Sequence, residues 1–238
     1  MTIPTMRWTV RRAADRGQAR HGWLDSRHTF SFADYHDPAH MGFRSLRVIN
    51  EDRVQAGQGF GTHPHRDMEI FSYVLEGVLQ HRDSMGNGRV LRPGEIQLMS
   101  AGTGVTHSEH NPSERDALHF LQVWIVPSRR GLVPGYTEWK PEAAAASAKD
   151  VVVISPDGRD RSAVIHQDAI VRRLSLKGGG RGGAGVAPGR GVWLQVVRGR
   201  VTVGDVELQA GDGASSETAG AKALQAVEAT EALLFDLG

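Results

Sequence analysis

Residues 63–77 read HPHRDMEIFSYVLEG, and the alternation inside them decides the fold. Residues 69–75 (EIFSYVL) form a short β-rich run, closed by the turn chemistry of Glu76 and Gly77. Working outward, residues 44–50 (RSLRVIN), 78–83 (VLQHRD), 89–91 with 95–99 (RVL, EIQLM) and 118–126 (LHFLQVWIV) read as strands too. Between them stand Met85-Gly86-Asn87-Gly88, Pro93-Gly94 and Gly102-Thr103-Gly104, all turn formers. Regular short strands with such punctuation predict an all-β chain of antiparallel barrels.

Residues 127–150 (PSRRGLVPGYTEWKPEAAAASAKD) mix Pro, Gly and charge and end in alanines. They read as a connector with a short helix near 141–148. Strands resume at 151–155 and continue at 162–166, 170–176, 192–197, 200–203, 206–208, 223–228 and 232–236. The Gly-rich stretch 177–191 lacks the Gly-Lys-Ser/Thr ending of a phosphate loop and reads as a flexible loop. The halves echo each other: residues 73–77 (YVLEG), a strand and Gly94-Glu95 are repeated as 195–199 (QVVRG), a strand and Gly211-Asp212. Two tandem barrels are expected, residues 1–130 and 131–238.

Charge excludes some partners. Lys and Arg number 28 against 27 Asp and Glu, a net charge of +1, so nucleic acid and anionic membranes are not expected. The absence of cysteine removes thiolate nucleophiles, disulfides, Cys-ligated zinc and iron–sulfur clusters. No apolar run reads as a signal-peptide core or a membrane span. The expectation is a soluble, cytoplasmic monomer.

Histidine carries the chemistry. Of 11 histidines, all but His166 lie at or before position 119. In a strand, residues i and i+2 share a face, so His63 and His65 aim two imidazoles together. His107 and Glu109 repeat the spacing with a carboxylate second. Two such pairs on neighbouring strands offer three nitrogens and an oxygen to one first-row divalent ion: Fe(II), Mn, Co, Ni, Cu or Zn. Open coordination positions would suit catalysis. Glu69 lies four residues after His65, so an unbroken strand would make it an alternative carboxylate ligand or a nearby base. His81, Gln97 and His119 could line the pocket or orient ligands. His110 has the opposite parity and should point away. His21, His28, His36 and His40 read as surface groups, although the aromatic segment 28–35 could pack at the barrel mouth.

These residues resemble a known family. Gly57, His63-Pro64-His65, Glu69 and Gly77 look like the first cupin motif, and Pro93-Gly94 through His107 and Asn111 like the second. HTFSFADYHDP (28–38), HPHRDMEIFSYVLEG (63–77), HRDSMGNG (81–88) and AGTGVTHSEHNP (101–112) resemble the pirin family more narrowly. SPDGRDRSAVIHQDA (155–169) and the stretch from LQAGDG (208–213) to LLFDLG (233–238) are similar to bacterial pirin-like proteins. The resemblance implies a bicupin with metal only in the N-terminal barrel. It implies His63, His65, His107 and Glu109 as ligands, iron as the usual metal, and Glu69 as a pocket residue beside the open positions. Ser100 replaces a proline common in cupins, and Asp67 a glycine common in pirins; Asp67 could alter pocket polarity.

The resemblance also implies a function. Some bacterial relatives resemble quercetin 2,3-dioxygenases, which open a flavonol ring with dioxygen. Glu69 or Glu109 would then accept the substrate proton. The alternative is a metal-binding regulator that acts through a protein partner, as eukaryotic pirins do.

Overall fold

The computed structural model describes residues 7–142 and 147–238. The helix expected near 141–148 falls mainly outside the described residues. Contacts divide the chain into two compact units. One comprises Gly17–Pro141 and Pro156–Gln167; the other comprises the described parts of Met1–Arg16 and Glu142–Ser155, with Asp168–Gly238. A cut between 130 and 131 does not follow these units. Strand Thr9–Arg11 pairs with Gly213–Ser216 and so belongs with the second unit. Arg12 fixes it there, donating to Asp212 Oδ2 at 2.8 Å.

Each unit is an antiparallel barrel of two sheets. In the first, the larger sheet runs Gly135–Trp139, Ile96–Ser100, Glu69–Glu76, Leu118–Ile125, Leu46–Val54, Leu24–His28, Gly17–Arg20. The smaller runs Gly59–His65, Val105–His110, Leu79–Asp83, Gly88–Leu91. The second unit repeats this order. Gly213–Ser216, Gly191–Arg198, Thr230–Leu237 and Ala169–Leu176 lie side by side, as do Arg181–Val186, Gly220–Ala226, Arg200–Val203 and Val206–Gln209. The repeat legible in the turns is a repeat of topology. At the first of those turns, Gly77 has φ 76° and an added Cβ would lie 2.5 Å from the Ala117 carbonyl oxygen, so glycine is required.

Two readings of the sequence need correction. Residues 181–186 are not a flexible loop: they form a strand paired with Gly220–Ala226. Ala184 and Val186 face the core there, and the glycines between them hide the alternation. The connector also contains a strand, Gly135–Trp139, paired with Ile96–Ser100.

The interiors differ. The second unit is filled by Leu174, Val186, Leu194, Val203, Leu224 and Leu234 among others. The first has an apolar floor, where Leu24, Val54, Val74, Leu79, Leu118 and Phe120 cluster, and a separate smaller cluster of Ile70, Met99 and Val105. Each such buried side chain contributes about 1.5–3 kcal/mol. Above that floor the larger sheet carries a transverse polar row. Gln97 pairs with Ser72, Ser72 with Gln122, Gln122 with Asn50 and Asn50 with His28, all five buried. No helix of the described residues is long and apolar enough to cross a membrane.

Candidate metal centre

Register brings the imidazoles together. His107 lies directly opposite His63 in the ladder between Val105–His110 and Gly59–His65. Parity adds His65, and ring centroids stand 4.5–4.8 Å apart among the three. Their donor nitrogens lie within 4.8 Å of one another, so His63, His65 and His107 could hold one ion. His81, His107 and Glu109 form a second group within the same distance, sharing His107.

The hydrogen-bond network assigns the tautomers. His63 Nδ1–H donates to the Gly61 carbonyl at 2.8 Å, which leaves Nε2 as a lone pair. His81 Nε2–H donates to Asp83 Oδ2 at 3.1 Å, so its Nδ1 accepts from His107 Nδ1–H at 3.4 Å. His107 Nε2 is then also a lone pair, and it faces His63 Nε2 at 3.1 Å. Two lone pairs at that separation repel unless a cation lies between them. His65 Nε2 is buried with no hydrogen-bond partner. These orphaned nitrogens fit a metal ion.

Electrostatics agree. Burial pushes His65 down to about 4, helped by the neighbouring His107 and His63. Burial likewise pushes His107 down to about 3, with His63 and His81 adding to it. Both rings are therefore neutral at physiological pH, as ligands must be. At Asp83 burial pulls upward, but hydrogen bonds from Asn87, His81 and Met85 win and hold the carboxyl below its usual range. Asp83 thus stays an acceptor and fixes the relay through His81 to His107. Replacing His81 with alanine is expected to weaken zinc binding about 10- to 100-fold, the usual effect of losing a ligand's supporting group. A competition titration with a zinc chelator checks this, and unchanged affinity would remove the relay.

Glu109 is fully buried between the sheets. Ser72 Oγ donates to its Oε1 at 2.6 Å, Gln97 Nε2 to Oε1 at 3.3 Å and Gln122 Nε2 to Oε2 at 2.5 Å. Three members of the polar row thus orient one carboxylate.

Glu69 is elsewhere. The strand does not run unbroken from His65: it ends there and restarts at Glu69, with Asp67 at φ 50° between. Glu69 consequently has the opposite parity to Ser72, which faces Glu109. Its carboxylate accepts from Ser100 Oγ at 2.8 Å and from the His166 backbone N–H at 3.2 Å. Glu69 and Ser100 anchor the segment around His166 rather than serving the metal centre. Asp67 also lies outside the pocket, accepting from the Gly131 N–H at 2.7 Å. Its left-handed backbone is the physical reason a glycine suits that position.

The centre opens onto a cavity of about 320 Å³ between the sheets, with His63, His65, Gln122, Asn50, His28 and Asp52 in its lining. Trp23, Phe60, Phe32 and Trp124 give it aromatic walls. Trp23 meets Phe60 edge-on at 5.2 Å and Phe32 meets Trp124 at 5.3 Å. The segment 28–35 does pack at the mouth. His28, expected at the surface, is buried and bonded through Nδ1 to Asn50 Oδ1 at 2.8 Å. His36 is exposed, and His40 bonds Asp37 in a local turn. His119 pairs with Glu51 at 2.9 Å, on the face away from the cavity. Ser72, Gln122, Asn50, Asp52 and Asp83 went unnoticed in the sequence. For Ser72 and Gln122 the signal was a polar residue within a mainly apolar strand; Asn50, Asp52 and Asp83 sit among other polar residues, in LRVINEDRV and LQHRD, and gave none.

Known proteins are similar to this chain along its length. Residues 9–125 match the Pirin family model, and residues 152–237 match the Quercetinase C-terminal cupin domain. The chain is 49% identical over 228 residues to quercetin 2,3-dioxygenase of Escherichia coli K12, covering 96% of this chain and 97% of that protein. The crystal structure of YhhW from Escherichia coli superposes with a TM-score of 0.93 at 48% identity, over 98% of both chains. Bacterial pirin YhhW in complex with nickel(II) gives 0.92 at 48% identity, over 97% of this chain and 99% of that one. Both halves are therefore cupin domains, and the chain belongs to the Pirin family.

Proposed function

We propose that this chain is a metal-dependent dioxygenase that opens the ring of quercetin-like flavonols with dioxygen. The observation that carries the reading is the convergence of three imidazoles, with lone pairs free, at one side of an aromatic-walled cavity. His63, His65 and His107 would hold one divalent ion, iron(II) by family likeness, with Glu109 completing the set. When bound, the ion supplies Lewis-acid polarisation and a meeting point for the flavonol and dioxygen. The chain's own residues do the rest. Trp23, Phe60, Phe32 and Trp124 receive the flat rings and exclude water. Glu109 accepts the 3-hydroxyl proton at its carboxylate, where Ser72, Gln97 and Gln122 steady the group. The reading places the chain in the cytoplasm as a monomer. The nickel complex of the relative makes nickel a second candidate ion.

Aerobic incubation of protein loaded separately with iron, nickel, manganese, cobalt or copper tests this. Expected results are loss of flavonol absorbance and release of carbon monoxide with at least one metal. No turnover with any metal would transfer the reading to a metal-binding regulator.

A further inference from the structure

Asp52 is a carboxylate out of place. It sits on strand Leu46–Val54, facing inward, paired with Phe120 on one side and Ser26 on the other. Its neighbour along the same face is Val54, part of the apolar floor. It is 2% exposed, and its Oδ1 has no hydrogen-bond partner. Burial pushes its carboxyl up to about 7 against an opposing hydrogen bond from Ser26, and the charges of Glu109 and Glu51 add to the rise. An unsatisfied acid among Leu24, Val54 and Phe120 destabilises the fold, and an apolar residue would pack there at lower cost. Yet Asp52 lines the cavity, in a wall formed by the larger sheet, while His63 and Phe60 come from the smaller sheet facing it.

We infer that Asp52 is a specificity-determining residue, accepting a hydrogen bond from a ring hydroxyl of the ligand at the cavity floor. The 3-hydroxy-4-oxo end would lie at the ion that the imidazoles hold, and Asp52 selects polyhydroxylated ligands over apolar ones of the same shape. The identity of the ligand rests on the flavonol reading above. The free Oδ1 is the acceptor, and Ser26 holds the other side of the carboxyl. His28, its Nδ1 committed to Asn50, closes the same wall.

The test uses zinc-loaded full-length protein without oxygen, so that binding is read without turnover. The probes are quercetin and 3-hydroxyflavone, which share the metal-facing group and differ in ring hydroxyls. At about pH 8.5, where the Asp52 carboxyl is ionised, wild type is expected to prefer quercetin by about 10- to 100-fold, the worth of one hydrogen bond to a charged group. Asp52→Leu should bring the two affinities within about threefold by weakening quercetin alone, while 3-hydroxyflavone binds as before. Asp52→Asn, isosteric and with one carbonyl acceptor left, should give an intermediate ratio, and it decides the matter if the leucine variant fails to fold. A wild-type ratio retained in the variant overturns the assignment. Failure of wild type to bind either flavonol instead sinks the flavonol reading, and the ligand assigned to Asp52 with it.

Discussion

Replacing His107 with alanine is expected to cost this protein its metal altogether. His107 faces His63 across the ladder, belongs to both groups of donor atoms, and receives the relay from Asp83 through His81. Its loss should exceed the roughly 10- to 100-fold effect expected of His81, because a ligand disappears rather than its support. Stability reports the same event. An ion present at about 1,000 times its Kd stabilises the folded state by about 4 kcal/mol. For a chain of this size that corresponds to a rise of roughly 8–16 °C in Tm. Zinc or nickel should produce that rise in wild type and almost none in the alanine variant, measured by calorimetry with and without chelator. An equal rise in both proteins would show that the stabilising ion binds elsewhere.

The second large effect concerns stability in the absence of metal. Asp52 has a folded pKa raised to about 7 from an ordinary 3.8. The folded state therefore holds its proton over a range where the unfolded state has lost it. By linkage, that difference lowers stability as pH rises from about 4 to about 7, and below 4 it vanishes. Over the whole window a three-unit shift amounts to about 4 kcal/mol. Asp52→Asn removes the titration. The stability of the variant minus that of wild type should climb by about that amount between pH 4 and pH 8, then level off. Urea unfolding of both metal-free proteins at several pH values gives the difference directly. His28, His63 and His65 line the same cavity and are common to both proteins, while Glu51 and Glu109 interact with the Asp52 charge, so the subtraction reports Asp52 together with its coupling to those two carboxylates. A difference that does not change with pH would mean that Asp52 titrates normally.

Strand alternation alone was enough to mark part of the candidate site. The spacing of His63 with His65, and of His107 with Glu109, places each pair on one face of its strand, and the structure gathers the three imidazoles. The same rule failed for Glu69 because it assumes an unbroken strand. Asp67 at φ 50° resets the chain, and nothing in the letters RDM announces the reset. Residues 181–186 defeated the rule differently: glycine has no side chain to alternate, so pairing with Gly220–Ala226 was invisible. The polar row was hidden for a third reason. Ser72 and Gln122 each sit alone in an apolar run, and only cross-strand register shows that they lie side by side. Residues 9–16 read as the start of the first barrel, because sequence order says nothing about which barrel an arm will join.

The strand Gly59–His65 has one consequence more. His63 pairs with His107, but Phe60 pairs with Glu109, so three steps on one strand match two on the other. That extra residue is a β-bulge, and it changes the phase of the strand. In a regular strand, positions 60 and 63 would face opposite ways. Here His63 joins the metal group while Phe60 lines the cavity and meets Trp23, both on the inside. The bulge also supplies the Gly61 carbonyl that fixes the His63 tautomer. One inserted residue thus lets a single strand serve two clients of opposite parity, an ion and an aromatic wall. Were the strand regular with every residue kept, one of the two would turn outward; deleting Gly61 or Thr62 instead sets Phe60 and His63 two residues apart, on one face, and keeps both inside.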